Sequence, residues 1–249
     1  MENRQDAIHT AQNYYQDAMS LEKSGNLKDA LEKYKKALAI NNDIGIPFYG
    51  WINMGNIYKK LEYYADAVNC YKKMIPHLES RNDEQGLHYC HYYIMYCKSM
   101  MGDFDREFIS LAESEANGSD PIGRYGAYDM LSRYYRDKVN DLDEAERYGV
   151  KQLELAIMLL GRSFITYKNL STICANLAMV VSAHKLYKYK ETESFYLRKS
   201  IDICRKYNDY PFNYKAILDR LWKLDRIVQD VPQHTVYEGK VAELLSRII

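Results

Sequence analysis

Four times along this 249-residue chain an amphipathic stretch runs into the same kind of breaker: NNDIG from Asn41, RNDEQG from Arg81, GSDPIG from Gly118 and YNDYPF from Tyr207. Asn42 and Asn82 stand 40 residues apart, Asn82 and Ser119 37, and Ser119 and Asn208 89, the last interval holding two units that meet near Gly161-Arg162. A period of this length marks a repeat architecture, in which each unit buries its apolar face only against its neighbours. The whole of 1–249 is tiled as a single solenoid, with units at about 8–43, 44–83, 84–120, 121–161 and 162–209 and a closing helix pair over 210–249.

Inside each unit a second break falls about halfway, at KSGNLKDA from Lys23, KLEYYADA from Lys60, MMGDFDRE from Met100, VNDLDEA from Val139 and KYKETES from Lys188. Each unit is therefore two helices and a short turn. From Leu27 the apolar positions are Leu27, Ala30, Leu31, Tyr34, Ala37, Leu38 and Ile40, mostly three or four apart. That spacing puts one stripe of a 3.6-residue helix inward, with Lys28, Asp29, Glu32, Lys33, Lys35 and Lys36 on the other face. Gly25-Asn26 and Gly102-Asp103 supply tight turns, and Asn42, Asn82 and Asn208 are expected to end helices in the left-handed conformation. Period-two alternation of strand length is absent, so the class is all-α.

The second unit, WINMGNIYKKLEYYADAVNCYKKMI, carries Trp51, Met54, Gly55, Tyr58, Ala67, Tyr71 and Met74 at the spacing of the tetratricopeptide repeat pattern, and resembles that family. The first unit matches through Tyr14, Ala18, Leu21, Gly25, Ala30, Tyr34 and Ala37. The fourth matches through Leu131, Ser132, Tyr135, Leu142, Ala145 and Tyr148 once an extra residue is placed in its turn. The third and fifth are degenerate: Glu107, and Thr192 or Glu193, stand where the pattern wants a small residue. Units of about 40 residues resemble the lengthened repeats of kinesin light chains and of Rap-type bacterial regulators that bind signalling peptides. The resemblance implies a right-handed superhelix of antiparallel helix pairs with a concave, segment-binding groove. Small side chains at Ala18, Ala30, Gly55 and Ala67 let paired helices approach, while Tyr34, Trp51 and Tyr71 fill the wider gaps.

Composition excludes several classes. Lys plus Arg and Asp plus Glu are 34 each, so no basic surface for a phosphate backbone is expected and nucleic acid is not a partner. The most apolar run, LSTICANLAMVVSA from Leu170, is interrupted and too short for a membrane span. MENRQDAIHTAQ is polar and helical rather than a leader, and the five cysteines, odd in number and within helical patterns, fit a reducing cytoplasm. His88, Cys90, His91 and Cys97 crowd one helix, but Cys90 and His91 point about 100° apart, so they read as two exposed histidines beside two core cysteines. No phosphate loop, nucleophile elbow or HExxH motif occurs. No catalytic residue, metal or cofactor is expected.

The excess of tyrosine, 25 residues, is mostly packing. The family's architecture nevertheless puts the first helix of each unit along the groove. Groove positions are then Tyr15, Gln16 and Met19 in the first unit, and Tyr49, Ile52, Asn53 and Asn56 in the second. The third unit adds Tyr89, Tyr92, Tyr93 and Tyr96, and the fourth Asp129, Arg133, Arg136 and Asp137. A one-residue shift of the third unit exchanges its set for His88, His91, Tyr92 and Met95 and relieves Lys98 of partial burial. Rings, amides and arginines together suit an extended peptide. Tyr92, Asn53 and Arg133 are the expected anchors. The carboxylate clamp of chaperone-binding relatives is missing, because Tyr15, Met19, Tyr89 and Tyr93 stand at its other positions beside Asn53.

Three function classes follow. A non-catalytic scaffold or adaptor binding a protein or peptide segment leads. The alternative is a peptide-sensing regulator of the Rap type, or a fragment of one, disfavoured because the repeats begin near Ala11. An enzyme has no motif behind it. At the other end, Ile217, Leu218, Leu221, Trp222, Leu224, Ile227 and Val228 precede a break at Val231-Pro232. Val236, Val241, Leu244, Leu245, Ile248 and Ile249 follow it. The terminal pair Ile248-Ile249 is expected to pack under the stack, to mark a self-association surface, or to mark a truncated end.

Overall fold

A computed structural model describes residues 2–45, 48–162, 165–184, 189–225 and 237–248. Helical periodicity throughout yields helices throughout, and no strand occurs among the described residues. The elements are α1 (Glu2–Lys23), α2 (Leu27–Asp43), α3 (Trp51–Lys60), α4 (Tyr64–Glu79), α5 (Glu84–Met100) and α6 (Arg106–Asn117). There follow α7 (Pro121–Tyr134), a π-helical turn (Tyr135–Val139), α8 (Leu142–Leu159), α9 (Tyr167–Ala183), α10 (Lys190–Tyr207), α11 (Tyr214–Asp225) and α12 (Glu238–Ser246). Every expected break that lies among the described residues separates two of these helices. Residues 185–188, ahead of α10, lie outside them, as do Ile227, Val228, Val231-Pro232, Val236 and Ile249.

The chain forms two compact units, Met1–Phe108 and Ile109–Ile249. In the first, α1 packs on α2, α2 on α3, α3 on α4 and α4 on α5; in the second, α7 packs on α8, α8 on α9, α9 on α10 and α10 on α11. Turns this short make successive helices antiparallel.

The ends of the helices follow from their sequences. Asp83, Asp120 and Asp141 each accept a hydrogen bond from the backbone N–H three residues on, at 2.9, 3.1 and 3.0 Å. An N-cap of this kind is worth about 1 kcal/mol. Pro121, which has no N–H to leave unpaired, opens α7. Asn82 and Asn208 adopt the left-handed conformation, with φ of 52° and 51°. Asn42 does not: α2 continues to Asp43, and Gly45 takes the left-handed position at φ 67°, where the lack of a Cβ removes the steric penalty. The extra residue of the fourth unit is taken up by the π turn, which Asn140 closes at φ 61°.

The first core is built from the expected small and large residues. Ala18, Ala30, Tyr34, Ala67 and Tyr71 are fully buried, and Phe48, Met54 and Ile57 join them. The second gathers α8, α9 and α10 around Leu153, Leu170, Ile173, Leu177 and Tyr196. Where the repeat pattern fails, charge is compensated. Glu107 turns outward to Lys72 and Lys98, leaving Phe108 buried. Thr192 donates to Glu238, and the fully buried Glu193 is paired with Lys190 and Arg220. The helix α12 packs on α8, its Val241, Leu244 and Leu245 are buried, and Ile248 lies against the same core.

Candidate functional site

In the first unit, α1, α3 and α5 bring polar and aromatic side chains together. The Tyr15 hydroxyl donates to Asn53 Oδ1 at 3.2 Å, and its ring stands edge-on to buried Tyr34 at 5.3 Å. One helical turn along α3, Asn56 Oδ1 accepts from two hydroxyls, Tyr71 at 2.8 Å and Tyr89 at 2.9 Å. These amides are thus the hinges on which the tyrosines are hung. Burial pushes the Tyr89 phenol up to about 12, with Tyr93 adding to the effect.

Along α5 the rings form a continuous wall: Tyr89 to Tyr93 at 4.6 Å, Tyr92 to Tyr93 at 5.0 Å and Tyr93 to Tyr96 at 6.3 Å. Cys90, Ile94, Met95 and Cys97 occupy the opposite, buried side. Met95 at 1% exposure rules out the shifted register. Lys98 stays buried without it, because Asp105, Glu107 and Asp103 surround its Nζ at 2.6, 3.1 and 3.2 Å. Burial opposes the charge on Lys98, but hydrogen bonds to the three carboxylates outweigh it and hold its pKa above the usual lysine value. Cys90 and Cys97 are fully buried, and burial pushes their thiols up to about 12 and about 11, unlike reactive or metal-binding thiolates. His88 and His91 are half-buried rather than exposed.

At the end of α3 a pocket of about 390 Å³ opens between Lys59, Lys60, Tyr92, Tyr93 and Tyr96. Lys59 Nζ lies 3.3 Å from the Tyr93 ring centroid. Burial draws its pKa down to about 8, and the neighbouring Lys60 adds to the effect. Lys60 is itself exposed and paired with Glu22 at 3.1 Å. Lys59 was not among the sequence-derived groove residues, although it follows Asn56 by three positions on the same helical face.

The remaining expected site residues lie elsewhere. Tyr49 sits in the turn before α3, its ring 5.5 Å from His77 and 5.5 Å from the Arg81 guanidinium. Asp129, Arg133 and Arg136 belong to the second unit. There Asp129 is 6% exposed and accepts from Arg133 Nε at 3.4 Å, and Arg136 grips Asp137 with two bonds of 2.7 and 2.8 Å. Both arginines are thus already engaged by carboxylates of their own helix or turn. Among the described residues no group of three or more His, Cys, Asp or Glu side chains is placed to hold a metal, and no helix is long and apolar enough to cross a membrane.

No protein-family model matches the chain, and no curated protein does. Among solved structures it is similar to the apo form of the quorum sensor NprR from B. thuringiensis, with a TM-score of 0.69 at 14% identity over 97% of this chain and 72% of that one. At that identity the likeness is one of fold, and it shows the chain as an all-helical stack of the kind on which that regulator is built.

Proposed function

We propose that this is a non-catalytic tetratricopeptide-like protein that binds a peptide or protein segment, with the tyrosine and asparagine face of α1, α3 and α5 as its docking surface. The observation that supports this most is the Tyr89–Tyr96 ring wall beside the amides of Asn53 and Asn56. Aromatic bodies cover side chains of an extended segment, and amides meet its backbone. The reading of a peptide-sensing regulator of the Rap type rests on the fold likeness to NprR, itself a quorum sensor. Five free, buried cysteines suit a cytoplasmic setting.

The test is a random peptide library selected on the whole chain, followed by Tyr92→Ala, Asn53→Ala and Tyr89→Ala. Loss of about 2 kcal/mol of affinity for an anchor, with an unchanged melt, supports groove recognition. Unchanged affinity in all three moves the interface to another face. A large fall in melting temperature for Asn53→Ala identifies it as a support for Tyr15 instead of a contact.

A further inference from the structure

Among the described residues Lys59 is a cation without a counter-charge. Its Nζ lies over the Tyr93 ring, and among the described residues no carboxylate reaches it within 4.0 Å. Elsewhere in the same unit Lys36, over Tyr14, and Lys73, over Trp51, also lie on rings, but both are exposed to water. Lys33, Lys60 and Lys72 are each paired with one acid, and the more deeply buried Lys98 with three. A lysine stem lying on apolar surface is ordinary where the ammonium escapes to water. Here the ammonium stays against a ring wall, and the face of the Tyr93 ring offsets only part of the lost hydration.

We infer that the pocket at the end of α3 is a subsite for a monovalent carboxylate carried on an apolar or aromatic body, with Lys59 supplying the charge and Tyr92, Tyr93 and Tyr96 the walls. This rests on the segment-binding reading above and names the chemistry of the segment: an acidic side chain or a C-terminal carboxylate next to an apolar group. The charge count selects a carboxylate over a phosphate. One uncommitted ammonium balances one negative charge, Lys60 is already engaged by Glu22, and no arginine fork lines the pocket. A volume of about 390 Å³ lies at the lower end of the roughly 300–1,000 Å³ of ligand pockets, which suits a single residue.

Binding is then linked to protonation. The groups acting on Lys59 are Cys97 on α5, whose thiolate would favour the charge, and Lys60 on α3, which disfavours it. The tyrosines Tyr92, Tyr93 and Tyr96 form the α5 wall. Glu62 in the following turn acts on Tyr64 at the start of α4. Cys97 and Tyr93 are both pushed up by burial and stay neutral near pH 8. An anion binds the ammonium form. Affinity is therefore flat below the free pKa of about 8 and falls roughly tenfold per pH unit above it, until the raised pKa of the complex is reached.

The experiment uses the whole chain labelled with 13C-lysine, following the Lys59 Cε resonance with N-acetylphenylalanine, its C-terminal amide, and inorganic phosphate as probes. The expected result is a free titration near 8 that moves upward with the acid and not with the amide, with affinity lost at least tenfold in Lys59→Gln and retained in Lys59→Arg. Equal binding of acid and amide, an ordinary lysine titration, or an unaffected Lys59→Gln overturns the subsite. Phosphate acting as strongly as the acid overturns the carboxylate assignment. Library peptides that bind this face but tolerate loss of every carboxylate refute the subsite and leave segment binding standing. Probe binding with no peptide selected does the reverse. Among acid-dependent peptides, those that lose binding on C-terminal amidation identify the chain end as the source of the carboxylate, and those indifferent to it an acidic side chain.

Discussion

Gly55→Ala adds one methyl group where the first unit has no room for it. A Cβ at this position lies 2.8 Å from Cε1, 3.0 Å from Cζ and 3.1 Å from Cδ1 of Tyr71. Carbon pairs prefer about 3.5–4.0 Å. The ring is poorly free to move: it is fully buried, its hydroxyl donates to Asn56 at 2.8 Å, and it stacks on Tyr93 at 5.6 Å. Exchanging glycine for alanine within a helix gains about 1 kcal/mol of backbone entropy and propensity. Overpacking opposes this by about 1–3 kcal/mol, and a displaced Tyr71 hydroxyl bond adds about 1 kcal/mol more. The net is a loss of about 1–3 kcal/mol, or roughly 3–10 °C in melting temperature for a chain of this size. Gly239 in α12 is the control, since a Cβ there meets no heavy atom within 4 Å. Gly239→Ala should raise stability by a few tenths to about 1 kcal/mol. Both variants are followed by thermal and urea unfolding. A Gly55→Ala protein as stable as wild type, or stabilised like Gly239→Ala, refutes the close approach of α3 and α4.

Asn56→Ala removes the acceptor of both Tyr71 and Tyr89; leaving the buried Tyr71 hydroxyl unpaired should cost about 1–3 kcal/mol, read as a lower urea midpoint, and no change would mean that the hydroxyls find other partners. Lys98→Met leaves Asp103, Asp105 and Glu107 without their shared cation. The expected cost is roughly 1–3 kcal/mol, below that of fully buried pairs because the carboxylates are solvated. Asp105, through its bond to Lys98, and Glu107, through bonds to Lys72 and Lys98, titrate below the usual carboxylate range. Depressed carboxylate pKa values contribute stability above the unfolded value and lose it as pH falls through the folded one. Wild type should therefore lose stability from about pH 4 downward, and Lys98→Met should show a shallower acid limb; parallel limbs would refute the coupling.

The order and ends of the helices were legible because the information is local. Asp-initiated caps, Gly and Asn terminators and a 3.6-residue stripe act over one or two turns, and such signals survive in a repeat whose neighbours are all alike. Asn42 shows the limit: with Gly45 three residues on, the helix ran to the residue that enters the left-handed region most cheaply. The compensation of Glu193 was not legible. Lys190, three positions before it, is one partner, but Arg220 lies 27 positions away on another helix, and no local signal announces that second pairing.

The shared polar and aromatic face of α1, α3 and α5 was legible, but the chemistry of its side chains only partly so, and the reason is electrostatic. Position on α3 and α5 follows from register, and the resemblance implies that first helices share a face, so Asn53, Asn56, Tyr89, Tyr92 and Tyr96 could be placed together from the two. What a side chain does on that face depends on what already engages it. The sequence marks Arg133 and Arg136 as ready for a carboxylate, yet Asp129 and Asp137 hold them. Lys59 looks instead like an ordinary basic residue in the last turn of a helix, where the backbone carbonyls favour a cation. Lys60, one position on, fits that description, since it is exposed and paired with Glu22. A rotation of about 100° per residue carries Lys59 against the ring wall, where hydration is lost and, among the described residues, no acid replaces it. Two adjacent lysines of the same helix end thus differ in chemistry because of the tyrosines that α5 brings to one of them, and that difference becomes visible only once the two helices are packed.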